Sequence, residues 1–190
     1  TQEGPLAGFM LSDRDFYELK IASLLHDCGK ITTPVHVVDK ATKLQTIFDR
    51  IHLVDMRFEV IRRDAELDML RAVLAGADAA EAEKRYQENC QALAADRQFL
   101  QRINIGDEAM RPEDQARVHH IAQKWRWCGN GGPRSPLLTD EEIENLTIRV
   151  GTLTQAERET INHHVVATIK MLESLPWPKH LKHVTEYAGG

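Results

Sequence analysis

Residues 24–34 read LLHDCGKITTP, with a histidine and an aspartate side by side and a lysine three positions beyond the aspartate. Imidazole nitrogen and carboxylate oxygen are good ligands for zinc, manganese or iron, and a carboxylate can bridge two metals. Adjacent helical residues project about 100° apart, so His26 and Asp27 can share a cation lying beside a helix end. Lys30 lies in the turn beyond, where its ammonium can face a phosphate oxygen or a leaving group. The three together outline a metal-assisted phosphate site. A plainer reading of the same residues stays open. A histidine at a helix C-terminus is favoured by the helix dipole, and an aspartate there can accept a turn hydrogen bond.

The elements that must position these residues are helical. A first helix is expected from Ser12 to Asp27, with Ser12 as N-cap, Asp15 in the first turn, and Phe16, Leu19, Ala22 and Leu25 as its apolar stripe. Gly29 lets the chain leave that helix, Pro34 marks an irregular segment, and Val35 to Val38 reads as locally extended. From Leu44 to Ile103 the pattern is helical with one break at Gly76 and Asp78. Ile47, Ile51, Val54, Phe58, Ile61, Ala65 and Leu70 form the first stripe, and Tyr86, Leu93 and Leu100 a thinner second one. Two long charged helices in succession predict an antiparallel hairpin, suited to pack on itself or on a partner. Further helices are expected from Pro112 to Trp127, from Thr139, and from the capping box Thr154 to Glu157. This last helix carries Ile161, His164, Val165, Thr168, Ile169 and Leu172 on one side. Pro176-Trp177-Pro178 ends it, a final helix starts near Lys179, and CGNGGPRSP (128–136) is the clearest loop. The expected class is all-α.

Composition bounds the rest. With 42% apolar and 28% charged residues, the chain reads as a soluble globular domain, and no window is apolar and long enough for a membrane helix. A net charge of −5 gives no global attraction to a nucleic acid polymer. Cys28, Cys90 and Cys128 are odd in number and widely spaced, which argues against a disulfide framework and for a reducing, cytoplasmic setting. The opening Thr1-Gln2-Glu3 reads as a piece cut from a longer protein.

LLHDCGKITTP resembles the signature of the HD superfamily of metal-dependent phosphohydrolases, and specifically its HD-GYP branch: an apolar pair, His-Asp, a small residue, Gly-Lys, then an irregular segment with Pro. LTQAERETINHHVVATIKMLESLP (153–176) is similar to the part of that branch in which a Leu-Thr cap opens a helix bearing the next histidine ligand. PWPKHLKHVTEYAGG resembles the helix leading to a further histidine pair. The resemblance implies an HD-type helical domain. It is divided into a first part over 1–54, an inserted helical hairpin over 55–105, and a continuation over 106–190 that stops before the second histidine pair and the Gly-Tyr-Pro loop. Carried over by residue, His26, Asp27 and His164 match metal ligands and Lys30 the phosphate-contacting lysine; His163 would be the ligand only in a shifted register. The implied cofactors are divalent metal ions such as iron or manganese. The implied activity is hydrolysis of cyclic di-GMP, with another nucleotide, or a non-catalytic nucleotide- or partner-binding module, as alternatives. Implied partners are a cyclic dinucleotide substrate and a sensor domain in the same full-length chain; the long charged hairpin by itself suggests a second copy as a further partner. The family's earlier histidine, later histidine pair and later aspartate fall outside these 190 residues. His26, Asp27 and His164 alone would then hold one metal weakly.

Other candidates are weaker. His52 would be a ligand if its helix packed over the site, and is otherwise a packing residue. His119-His120 with Lys124, Trp125 and Arg126 reads as a solvated face with Trp125 turned inward. His36 is expected in an exposed loop, His180 and His183 on a solvated face, and Cys28 as buried filler.

Overall fold

The first helix starts where Ser12 can cap it. The Ser12 hydroxyl accepts the Asp15 N–H, and the Asp15 carboxylate accepts the Ser12 N–H at 2.8 Å, a reciprocal capping box. The computed structural model describes residues 10–129 and 132–189. In chain order its helices are α1 (Asp13–Leu25), α2 (Val35–Val38), α3 (Ile51–Leu74), α4 (Ala79–Ile105), α5 (Pro112–Lys124), α6 (Asp140–Leu146), α7 (Gln155–Glu173) and α8 (Val184–Gly189). Short 3-10 turns cover Cys28–Thr32 and Lys179–Leu181, and a two-stranded ladder pairs β1 (Arg126–Trp127) with β2 (Ser135–Pro136). The all-α class holds. The described residues form two compact units, 10–38 with 155–189, and 39–154, so the expected hairpin segment 55–105 lies inside the second unit.

In the first unit, Ala22, Leu172, Leu181, Val184 and Ala188 form a small core from α1, α7, the Lys179–Leu181 turn and α8, with Ile21, Leu25, Cys28 and Trp177 packed partly against it. Cys28 is half-buried here, not the fully buried filler expected. The buried face of α1 is Glu18 and Ala22, while Phe16 lies exposed. The rotation has a polar cause: the Glu18 carboxylate accepts the His183 backbone N–H at 2.6 Å, just ahead of α8. It thereby satisfies a donor that the incoming chain would otherwise leave buried. Val35–Val38 is a helical turn, not an extended segment. Val37 and Val38 both donate their backbone N–H to the Pro34 carbonyl, a proline being well suited to open a helical turn.

In the second unit, α3 and α4 run antiparallel. Asp49 meets Asn104, Asp55 meets Arg97 and Gln101, and Arg62 meets Tyr86, so one sequence rises as the other falls. Gly76 takes φ +97° in the link, and Asp78 caps α4 by accepting the Glu81 N–H at 2.8 Å. The helix expected from Leu44 begins only at Ile51, and Ile47 is exposed. A tied loop replaces its first turns: Asn104 accepts the Leu44 N–H at 2.8 Å and donates to Asp49, while its carbonyl accepts the Lys43 N–H. Lys43 itself is buried. Its ammonium donates to the carbonyls of Leu146 (3.2 Å), the last residue of α6, and of Ile148 (2.7 Å) just beyond, and burial lowers its pKa.

Phe58, Leu93, Leu100, Val118, Ile121, Leu137 and Leu146 lie in the core of this unit. Arg57 crosses it to clamp the buried Glu142 through both carboxylate oxygens, at 2.6 and 3.1 Å. Glu142 also closes the Thr139 capping box. The helix expected through Trp127 stops at Lys124, because Trp127 enters the β ladder against Ser135. Asn130 and Gly131 of the expected loop, the opening residues 1–9, and Gly190 lie outside the described residues.

Candidate functional site

The site is built within the first unit where α1 ends. His26 keeps helical backbone angles, Asp27 leaves them at φ −106° and ψ 6°, and the chain tightens into the Cys28–Thr32 turn. Gly29 seats that turn on α7. Its N–H donates to the Thr168 hydroxyl at 2.9 Å, and the same hydroxyl donates to the His26 carbonyl at 3.1 Å. A Cβ at Gly29 would come 2.1 Å from the His164 carbonyl oxygen and 2.5 Å from the Thr168 nitrogen. Gly29 does not have a positive φ, so its role as the chain leaves the helix is close backbone approach.

This seating places the His26-Asp27 pair against His164. The His26 Nε2 lies 3.3 Å from Asp27 Oδ2, and the His164 Nε2 lies 3.3 Å from Asp27 Oδ1. The Lys30 ammonium meets Asp27 Oδ2 at 2.6 Å. Both rings are held from behind: the Nδ1 of His26 donates to the Ser23 carbonyl at 2.7 Å, and the Nδ1 of His164 to the Ile161 carbonyl. A carbonyl only accepts, so each Nδ1 carries a proton and each Nε2 is the atom turned toward the carboxylate. A contact between Nε2 and a carboxylate oxygen is attractive when a proton or a cation lies between the two atoms. Ring orientation by an Nδ1–H bond is also the usual support of a metal-ligating histidine.

The ammonium of Lys30, hydrogen-bonded to Asp27, holds its carboxyl below the usual carboxylate range. Partial desolvation works against this, and the neighbouring His26 and His164 add to the lowering. The His164 side chain is 14% exposed, whereas those of His26, Asp27 and Lys30 are 56%, 39% and 44% exposed. One wall of the site is therefore sheltered and the other open to an incoming molecule.

The donor chemistry suits a transition metal. Ligand atoms about 2.1 Å from one cation stand about 3.0 to 3.4 Å apart, for octahedral or tetrahedral angles, and the two imidazole–carboxylate contacts have that length. The arrangement is pairwise, one imidazole to each carboxylate oxygen. Among the described residues no group of three or more His, Cys, Asp or Glu side chains is placed to hold one metal ion. The donor types are those a divalent cation takes, while their placement here is two separate contacts that share Asp27.

His36, His52, His119, His120, His163 and His180 are exposed. His183 pairs instead with Glu186 at 3.1 Å. The sequence pattern shows Thr168 only as one member of an inward stripe, yet its hydroxyl bridges the turn and α7. Its spacing of four from His164 places it on the same face but does not reveal the bridge. Compared with known proteins, the chain matches no family model, no curated protein and no solved structure. No helix among the described residues is long and apolar enough to cross a membrane.

Proposed function

We propose that the chain carries part of an HD-type, metal-dependent phosphohydrolase site of a cytoplasmic signalling protein, with cyclic di-GMP as substrate and the helical hairpin as an insertion. The observation that carries this reading is the facing of His26 and His164 Nε2 atoms onto the two oxygens of Asp27, across 137 residues of intervening chain, with both rings oriented from behind. His26, Asp27 and His164 would hold iron, manganese or a similar divalent ion. Such an ion, when bound, supplies an acidified water and positive charge for the phosphoryl oxygens. Asp27 holds the two imidazoles in register. Lys30, on the open side, exchanges part of its bond to Asp27 for a phosphate oxygen and offsets charge that grows there during P–O cleavage. Hydrolysis adds one water across one phosphodiester bond and yields a linear dinucleotide with a terminal phosphate.

A second reading is a nucleotide-binding module without chemistry, favoured by the pairwise geometry at Asp27 and the direct Lys30–Asp27 bond. One experiment separates the two. Protein loaded with manganese or iron is incubated with cyclic di-GMP, the products are resolved by chromatography, and bound metal is measured in the same sample. Turnover with about one to two metals per chain, lost in Asp27→Ala, supports the enzyme. Tight nucleotide binding by metal-free protein, with no product, selects the binding module.

A further inference from the structure

Helix α3 has two apolar stripes, and the core uses only one. Ile51, Val54, Phe58 and Ile61 are buried within their own unit. On another face, Leu53, Met56, Val60, Leu67, Leu70 and Leu74 recur at alternating steps of three and four, with Arg63 filling the one gap. That is a heptad seam through the length of the helix. Leu53, Met56, Leu67, Leu70 and Leu74 are exposed, Met56 at 63% and Leu74 at 87%. The neighbouring helix offers a contrast. The exposed residues of α4 in its first half include Lys84, Arg85, Gln87, Glu88 and Gln91, an ordinary solvated face. A contiguous row of leucines on one helix of a pair, beside a polar row on the other, is the pattern of an interaction surface and not of random exposure.

We propose that this seam is covered by the same seam of a second copy of the chain, the two α3 helices crossing antiparallel about a two-fold axis between residues 61 and 62. The arrangement follows from Arg63. In a parallel pair the two Arg63 side chains would share one layer, placing like charges face to face. In the antiparallel pair Leu53 packs on Leu70 of the second copy, Met56 on Leu67, and Val60 on Arg63. Each Arg63 then lies one residue from Glu59 of the other copy. Within one chain Arg63 already binds Glu59 at 2.9 Å, so this acid and base are matched in charge and reach. The isologous form, each residue i on j and each j on i, is what two-fold symmetry demands. With 24 residues, α3 is about 36 Å long, which places a single helix pair at the small end of stable interfaces. Association is therefore expected in the micromolar range.

Sedimentation velocity on the whole chain, from about 1 to about 300 µM, tests the proposal. The expected result is a reversible monomer–dimer equilibrium, weakened more than tenfold by the Leu67→Glu/Leu70→Glu pair with unchanged helical circular dichroism. Gln91→Glu on α4 serves as control and leaves the equilibrium in place. Should the glutamate pair fail to fold, Arg63→Leu supplies the second reading: it removes the only charge from the seam and tightens the dimer about tenfold. A wild-type protein that stays monomeric throughout leaves the seam to some other chain and overturns the proposal. So does a dimer indifferent to both sets of changes.

Discussion

The hydroxyl of Thr168 accepts the backbone N–H of Gly29 at 2.9 Å, and through that bond the turn after α1 is tied to the middle of α7. The hydroxyl also returns a proton to the His26 carbonyl. One small side chain thus fixes the two segments that bear His26, Asp27 and His164.

Thr168→Val keeps the shape and removes both bonds. A buried N–H and a carbonyl lose their partner, at a cost of about 1 to 3 kcal/mol. The Gly29 amide should exchange with deuterium much faster, and metal uptake should fall. Thr168→Ser should restore both. If the valine variant keeps Gly29 protected from exchange, the hydroxyl is not what holds the turn.

Gly29→Ala should be worse than a helix-propensity change allows, because its Cβ meets the backbone of α7 as well as the Thr168 hydroxyl, and the backbone cannot step aside as a side chain can. The expected outcome is loss of metal binding in a protein that still shows the helical content of the second unit. An alanine variant that binds metal as the parent does would remove the close approach from the account.

Lys30→Met separates charge from coordination. On the proposed chemistry, kcat should drop by about 10²- to 10³-fold while metal content stays near the parental value. Equal loss of metal and turnover would mean that Lys30 acts by holding Asp27, not by meeting phosphate.

The Arg57–Glu142 pair should carry much of the second unit's stability. Glu142 is almost wholly buried and accepts two bonds from Arg57, so Arg57→Ala leaves an uncompensated carboxylate inside. Destabilisation of about 3 to 5 kcal/mol is expected in urea unfolding. Glu142→Ala/Arg57→Ala should cost less than the two single changes added together.

Acid should loosen the same unit at Asp96. Burial pushes this carboxyl upward more than any single partner lowers it. The hydrogen bonds from Lys124, Trp125 and Arg117 together outweigh burial and leave its pKa below the usual range. A carboxyl with a lower pKa in the folded chain binds fewer protons there than when unfolded. Its stabilisation is complete above the unfolded value of about 3.9 and is lost as pH falls below it. Asp96→Asn should therefore flatten the acid limb of a stability–pH curve between about pH 2 and 5. An unchanged limb would place the acid sensitivity elsewhere.

What the sequence made legible was local. Ser12, Asp78 and Thr139 announce helix starts because a cap is settled within four residues. His164, Thr168 and Leu172 could be set on one face because each follows the last by one turn. The start of the first helix stripe failed at Phe16, since the face turned inward there carries Glu18, whose carboxylate bonds a backbone amide 165 residues away. Ile47 failed for the same reason: Asn104 claims that loop from the far end of α4. Of the candidate site, the residue types could be read, but not the bridge at Thr168, which joins main-chain atoms that leave no pattern in the side-chain order.

The seating of Gly29 on α7 has an evolutionary corollary. Where two side chains collide, a larger one can be admitted by trimming its neighbour, and a lineage can drift through paired exchanges. Opposite Gly29 stand a carbonyl oxygen and a backbone nitrogen, which no codon can shorten. Compensation by trimming those two backbone atoms is closed at this position.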